Sequence, residues 1–152
     1  MASIFSAPAQ KSEIVQLLNK ELKSEMEYES KQSSSQDTLS IVHPFSIDEN
    51  DVLSFEIRTS RPNNGYQTTK QEVSLTAIKS INKDIAILIQ APGSVKTTTV
   101  NYVANNTATT ETYIDDAMDV HMKAPNKEKF AKKIVSAFKK AGYNIKTDYW
   151  AD

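Results

Sequence analysis

Apolar positions recur every three or four residues near both ends of the chain and every second residue in the middle. The clearest helical stretch covers residues 126–142, NKEKFAKKIVSAFKKAG. Its spacing predicts an amphipathic helix whose apolar stripe must face a partner surface. Asn126 is expected to cap its N-terminus, and Gly142 to be the left-handed residue just past its C-terminus. The stripe consists of Phe130, Ile134, Phe138 and Ala141.

A second helical stretch, SEIVQLLNKELKSEMEYES, covers residues 12–30. Ser12 is suited to cap its start, and its acidic end is expected to fray because the apolar stripe stops there. Residues 1–11 are predicted to be a flexible tail, and residues 31–37, KQSSSQD, a polar linker. The stripe of this helix consists of Ile14, Leu18, Leu22 and Met26.

Alternation of apolar and polar residues begins at Thr38 and predicts β-strands. The first two, TLSIVHPFSI and VLSFEIRTS, are separated by the acidic turn DEND. Pro44 favours a sheet edge or a bulge in the first strand. Asn64 and Gly65 predict a type I′ hairpin turn into the third strand, YQTTKQEVSLTAIKSI, which is expected to bend or to end in a short turn near Lys79.

Four more strands are predicted before the C-terminal helix. IAILIQ, residues 85–90, is apolar on both faces and is expected to be a central strand covered on both sides. Pro92 and Gly93 then predict a turn. Two threonine-rich strands follow, SVKTTTVNYVA and TATTETYI, and the last strand is AMDVHMK, residues 117–123.

About seven antiparallel strands between two helices predict an α+β fold, with residues 38–142 as one domain. Residues 143–152 form an aromatic tail that is expected to lie against this domain. The stretch VSLTAIKSI, residues 73–81, followed by a strand, is similar to the L-x-x-I-x-x-I step of pleckstrin-homology-like barrels and of small secreted proteins from Bacteroidota. The resemblance covers residues 38–142 and implies a half-open barrel in a bacterial protein, with the C-terminal helix capping one end. An antiparallel sheet flanked by both helices is the alternative.

Composition and charge narrow the function classes. The 152 residues carry a net charge of −1 and no cysteine, which excludes disulfides, thiol catalysis and cysteine-ligated metals. Three glycines, all at predicted turns or caps, leave no phosphate-binding glycine loop. The near-neutral net charge creates no positive electrostatic field that would attract nucleic acid. No apolar run reaches the roughly 20 residues of a membrane span. Ala7-Pro8-Ala9 resembles the end of an export signal, so cytoplasmic and exported locations both stay open.

One acidic group near the last strand contains the densest set of chemically capable side chains: Asp115, Asp116, Asp119 and His121. Asp119 and His121 lie two residues apart on a predicted strand, hence on one face, where a hydrolase could use them to move a proton or hold a metal. His43 could join them from the first strand. Because no third ligand has matching spacing, we interpret Asp115 and Asp116 as a turn and Asp119, His121 and Lys123 as the solvated face of the last strand, and we expect no metal and no cofactor.

The DEND turn offers further oxygen ligands in Asp48, Glu49, Asn50 and Asp51. It lacks the glycine and the distal glutamate of an EF-hand, so we predict a hairpin turn here and not a calcium site. Phosphoinositide-binding members of the pleckstrin-homology class have a basic first hairpin, whereas this one is acidic.

Lysines dominate the C-terminal helix and its flanks, where they face only one acid, Glu128. Such a run is typical either of docking to an acidic partner or of a plain solvated face. Because no arginine and no interleaved aromatic residue supports contacts to nucleic-acid bases, we expect no nucleic-acid partner. The lysines are Lys127, Lys129, Lys132, Lys133, Lys139, Lys140 and Lys146.

These observations favour a non-enzymatic module for protein binding or assembly, whose partner is another protein or a second copy. The first helix could swing out onto a neighbour, and strand edges near Pro44 or in the threonine-rich strands could add a partner strand. One alternative is a carrier of a small apolar or lipid ligand; the other is the Asp/His hydrolase. The carrier's cavity would be lined by Met118, Met122, Phe130 and Phe138. The residues expected to contact a partner are Leu18, Leu22, Met26, Lys129, Lys132, Lys133, Lys140 and Trp150.

Overall fold

The computed structural model describes residues 7–32, 38–61, 65–103 and 107–151. These ranges contain two α-helices, six β-strands and one 3₁₀ turn at Leu75–Ala77. The helices are α1 (Ala7–Gln32) and α2 (Glu128–Lys140). The strands are β1 (Thr38–Ile47), β2 (Val52–Arg61), β3 (Gly65–Ser74), β4 (Ser80–Lys83), β5 (Ile87–Tyr102) and β6 (Ala108–Asp119).

The strands form one antiparallel sheet in the order β1-β2-β3-β5-β4, and β6 pairs with the other side of β5. The sheet is curled into a half-barrel, and one apolar core joins it to both helices. The predicted α+β fold is therefore confirmed. The β2–β3 hairpin is also confirmed, with Arg61 opposite Gly65, although residues 62–64 lie outside the described ranges.

The strand count is six and not seven, because two pairs of predicted strands are each one strand, β5 and β6, and β4 is an additional short strand. β5 is continuous over 16 residues. Pro92 and Gly93 do not turn the chain; they lie in a bulge, where the register with β6 breaks between Gln90 and Val95. A bulge accommodates a proline because its N–H position lies outside the hydrogen-bond ladder. The first half of β5 pairs with β4 and the second half with β3.

Two other predictions in this region were wrong. The strand expected to be covered on both faces begins at Ile87, after an exposed Ile85 (79% exposed), and its burial alternates. The two strands predicted after Asn106 are one strand, β6, which ends at Asp119, so Asp115 and Asp116 lie within a strand and do not form a turn. Residues 104–106, the predicted connection before it, lie outside the described ranges.

α2 ends as predicted but begins differently. The N-cap is Lys127, without a side-chain capping bond, and Asn126 adopts a left-handed φ of 63°. Asn126 is therefore not the cap; asparagine tolerates this conformation and turns the chain into the helix. At the other end Gly142 has φ 94°, and the N–H groups of Gly142 and Tyr143 donate to Lys139 and Phe138 in the hydrogen-bond pattern of a Schellman motif.

α1 is longer at both ends than predicted, so residues 7–11 are helical and Ser12 lies inside the helix. It runs antiparallel to α2, since Glu13 pairs with Lys140 at 3.7 Å and Glu21 pairs with Lys127. Residues 1–6 and 33–37, part of the predicted tail and linker, lie outside the described ranges.

α1 also supplies hydrogen-bond partners to the backbone of β1. The pairing of β1 with β2 is broken by two irregularities between Ile41 and Ser46. The Asn19 side chain donates to the carbonyl oxygen of Phe45 at 3.0 Å and accepts from its N–H at 2.7 Å. The bulge predicted from Pro44 is confirmed, and α1 occupies backbone groups that it would otherwise leave unpaired.

The C-terminal tail was predicted to lie against the domain, and the strand that it contacts is β4. Lys146 and Trp150 form parallel bridges with Ser80 and Lys83. The buried side chain of Asn82 accepts a hydrogen bond from the N–H of Asp148 at 2.7 Å. The tail therefore covers the outer side of β4.

Candidate partner-binding edge

The α1 residues predicted to contact a partner lie in this chain's own core. Leu18 and Leu22 are fully buried, and the half-buried Met26 packs against them. Their assignment to a partner surface was wrong, because the apolar stripe of α1 faces its own sheet and α2. A helix with this stripe buried is an integral part of the fold.

The lysines of α2 are less isolated than the sequence predicts. Lys127 and Lys140 pair with acids of α1, and Lys146 lies 3.1 Å from Asp148. Lys129, Lys132 and Lys133 are exposed and take part in no ion pair among the residues described. Trp150, in the tail, is half-buried and packs against the core.

The acids predicted for catalysis do not converge on one point. Asp115 accepts the hydroxyl hydrogen of Thr97 at 3.0 Å, and Asp116 accepts the N–H of Gly93 at 2.7 Å. Asp119 accepts the backbone N–H of His121 at 2.8 Å. In the described ranges, no three His, Asp or Glu side chains are grouped so that they could hold a metal ion.

His121 has an unusual local environment. Its φ is 57°, and its ring lies edge-on to Phe55 with 6.3 Å between ring centroids. Burial lowers the pKa of His121 from its ordinary 6.5, and the charge of Lys123 acts in the same direction, whereas Asp119 and Glu29 oppose the shift.

His43 lies in a different place, on β1, where its Nε2 is 3.5 Å from Oε1 of Glu56. It lines a pocket of about 370 Å³ that the bulges of β1 open at that edge. Alternation along the sequence could not predict this pocket, because it exists only where the register of β1 fails. The other lining residues are Pro44, Ser46, Ser54, Phe55, Glu56 and Lys70.

The DEND segment is a hairpin turn, as predicted. Asp48 accepts hydrogen bonds from the N–H groups of Asn50 and Val52 at 2.8 and 3.0 Å. Asp51 forms an ion pair with Lys11. These carboxylates therefore stabilise the turn and its contact with α1.

The residues predicted to line a ligand cavity are packed in the core. Met118, Met122, Phe130 and Phe138 all belong to the buried apolar cluster that joins the sheet to the helices. The pocket beside His43 touches none of them.

β6 is the most exposed strand of the sheet. Within the described residues it pairs with β5, and its other side has no strand neighbour. Side chains from Ala108 to Ile114 are all exposed, including Tyr113 (46%) and Ile114 (61%). The strand has no lysine, arginine, proline or glycine.

The two faces of β6 differ in chemistry. We call inner the face of β5 and β6 that carries the buried Val95, Thr97 and Thr99 of β5. Paired residues point to the same side of a sheet, so the register assigns each β6 side chain to a face. The inner face carries Thr109, Glu111, Tyr113 and Asp115, and the outer face carries Ala108, Thr110, Thr112 and Ile114.

Buried polar groups support the inner face of this region. The amide of Gln71 donates to the hydroxyl of Thr97 at 3.4 Å, and Thr97 in turn donates to Asp115. Asp115 is thereby held in place on the inner face, next to the free edge.

An aromatic stack stiffens the outer face of the same strands. The rings of Tyr66 and Tyr102 are stacked with 4.3 Å between centroids, and the Arg58 guanidinium lies 4.2 Å above the Tyr66 ring. Arg58, Tyr66 and Tyr102 lie on β2, β3 and β5, so the stack ties the three strands together near the β5–β6 hairpin.

Comparisons with family models, with characterised proteins and with solved structures give no match to this chain. Neither of the described helices has the length and apolar character needed to cross a membrane.

Proposed function

We propose that this chain is a non-enzymatic protein-binding module that takes an extended segment of a partner protein along the free edge of β6. The observation that carries the proposal is the open side of a 12-residue strand whose side chains are largely exposed. An edge strand presents a row of backbone N–H and C=O groups that another strand can pair with. Folded proteins usually guard such an edge with lysine, proline or a bulge.

The other two edge strands of the described sheet are occupied along part of their length. β1 is bulged, and Asn19 of α1 occupies the backbone of Phe45. β4 is covered by the C-terminal tail. This contrast supports β6 as the edge that accepts a partner.

The strand is also well suited to bind without reordering. Eight consecutive residue pairs, from Val95–Asp115 to Tyr102–Ala108, hold it against β5. A template that is already extended avoids the entropic cost of ordering during association, which favours affinity.

A displayed library of random ten-residue peptides, selected on the full chain, tests the proposal with two matched variants. In an antiparallel strand, consecutive N–H groups point alternately to the two sides. Of Thr109→Pro and Thr110→Pro, one therefore removes a donor from the free edge and the other removes a donor from the β5 ladder. The variant that removes a donor from the free edge should keep the stability of the parent. It should bind the selected peptides about tenfold or more weakly, a loss of roughly 1.4 kcal/mol in binding free energy.

The variant that removes a donor from the β5 ladder also exchanges a threonine for a proline, so it is the control for that exchange. It should lose stability, because it breaks a hydrogen bond between β5 and β6. If the variant that keeps the parent's stability binds every selected peptide as tightly as the parent, β6 is not the binding edge.

A further inference from the structure

We infer that the partner segment is a basic strand in which lysine or arginine alternates with β-branched or apolar residues. This inference rests on the proposed function, because it specifies what the free edge of β6 accepts. It follows from the different chemistry of the two faces of that edge.

The inner face of the edge is acidic. Glu111 and Asp115 lie on it, and no basic residue occurs anywhere in β6. Neither carboxylate is in an ion pair within the described part of the chain. A side chain directly opposite on an added strand would have its Cβ about 5 Å away, where opposite charges attract and like charges repel.

The β6 side chains on the outer face are uncharged from Ala108 to Ile114, although the exposed Lys96 of β5 lies beside Ile114 on this face. Thr110, Thr112 and Ile114 present methyl and hydroxyl groups, and Ile114 is the most exposed of the strand's large apolar side chains. Partner residues on this side gain most if they are β-branched or apolar, since such side chains pack well on a pleated surface. Because side chains alternate along a strand, the two faces together select a segment with a period of two.

The same charges disfavour a second copy as the occupant. Two β6 strands joined with their inner faces on one side would bring Glu111 and Asp115 of one copy beside those of the other. A basic segment of a different protein is the complement that this edge lacks.

Three synthetic peptides of nine residues test the inference on the full chain: VKTKVKTKV, VETEVETEV and VTVTVKKKK. The first has the expected alternation, the second reverses its charge, and the third keeps the first peptide's composition but not its period. We expect the first to bind at least about tenfold more tightly than either of the others, with an advantage over the second that shrinks as salt is raised. Titrations followed by amide NMR locate each peptide on the surface.

Two protein variants with the same change in charge separate a local effect from a global one. Glu111→Lys should weaken the binding of the alternating lysine peptide and strengthen the binding of the glutamate peptide. Asp84→Lys, at an exposed residue just before the N-terminal end of β5, should change the binding of neither peptide.

The possible failures are distinct. If the lysine and glutamate peptides bind β6 equally, the charge preference is wrong and the edge proposal stands. If the period-broken peptide binds as tightly as the alternating one, the selection of a strand is wrong. If no peptide binds β6, or if the free chain already pairs β6 with a second copy, both proposals are wrong.

Discussion

Glu25 is a charged residue whose structural role depends on a distant part of the chain. Its carboxylate is fully buried and accepts hydrogen bonds from the N–H groups of Lys123 and Ala124, at 2.7 and 3.0 Å. These residues belong to the irregular segment between β6 and α2, so Glu25 anchors that segment to α1. The predicted fraying of this end of α1 was wrong for the same reason.

Replacing Glu25 by alanine should lower the free energy of unfolding by about 2–4 kcal/mol, because the buried N–H of Ala124 and the partly buried N–H of Lys123 lose their acceptor. Glu25→Gln keeps one acceptor oxygen and should cost less. Glu27→Ala, at an exposed position on the same helix, should stay within about 0.5 kcal/mol of the parent. Urea unfolding measures all three; equal losses for Glu25→Ala and Glu27→Ala would contradict the role assigned to Glu25.

His121 makes the stability of the fold depend on pH. Because burial lowers its pKa in the folded state, the unfolded chain binds a proton near pH 6.5 that the folded chain does not. The contribution of neutral His121 to the free energy of unfolding is therefore fully present above about pH 6.5. It is lost as the pH falls through the folded-state pKa.

The free energy of unfolding should thus fall as the pH is lowered through 6.5, and His121→Asn should flatten that dependence. Asparagine suits the variant because it tolerates the positive φ of this position. His43→Asn, at a side chain that is 72% exposed, is the control for the loss of a histidine and the gain of an asparagine. A slope that His121→Asn leaves unchanged would show that His121 is not its source.

At the scale of elements, the sequence predicted most segments correctly and joined them incorrectly. β1, β2, the two hairpin turns and the C-terminal end of α2 depend on neighbouring residues, and their local patterns predicted them. The fate of Pro92 and Gly93 depends on β6, where Asp116 accepts the N–H of Gly93. No local pattern distinguishes a turn from a bulge that a partner strand stabilises.

The stack on the outer face should couple two strands energetically. Tyr66 and Tyr102 are expected to show a coupling free energy of about 0.5–1.5 kcal/mol in a double-mutant cycle of leucine substitutions. Tyr66 and Tyr113 are the control pair, because Tyr113 is exposed on the inner face of β6. The changes in free energy of unfolding caused by their two substitutions should be additive. Additive effects for Tyr66 and Tyr102 would mean that the stack contributes nothing beyond burial.

At the scale of the whole molecule, α1 is needed for the core. Ile14, Leu18 and Leu22 are buried among residues of the sheet and of α2. Each large-to-alanine change in such a core costs about 2–5 kcal/mol, and a domain's total stability is about 5–15 kcal/mol.

A chain that begins at Thr38 should therefore lose cooperative unfolding, measured by circular dichroism during urea titration. A chain that begins at Ala7 keeps all of α1 and should unfold with the midpoint of the full chain. A stable, cooperatively folding chain from Thr38 would support the detachable helix that the sequence alone favoured.

The candidate edge was only partly predictable. Threonine-rich alternation predicted strands that could add a partner, and the acids Glu111 and Asp115 are visible in the sequence. Which edge stays open depends on long-range contacts, namely Asn19 with Phe45 and the tail with β4. Leu18 and Leu22 lie inside the molecule because α1 packs on the sheet and on α2, a long-range contact that the amphipathic pattern of the helix alone does not reveal.

The central claim is that one side of β6 is open and accepts a partner strand. Residue-by-residue amide hydrogen exchange of Ala108–Asp116, in the free chain and with the peptide VKTKVKTKV, tests it most directly. We predict fast exchange at alternate residues in the free chain, because their N–H groups face solvent, and protection of the same residues when the peptide binds. Slow exchange at every one of these residues in the free chain, or protection that appears elsewhere on the molecule, would contradict it.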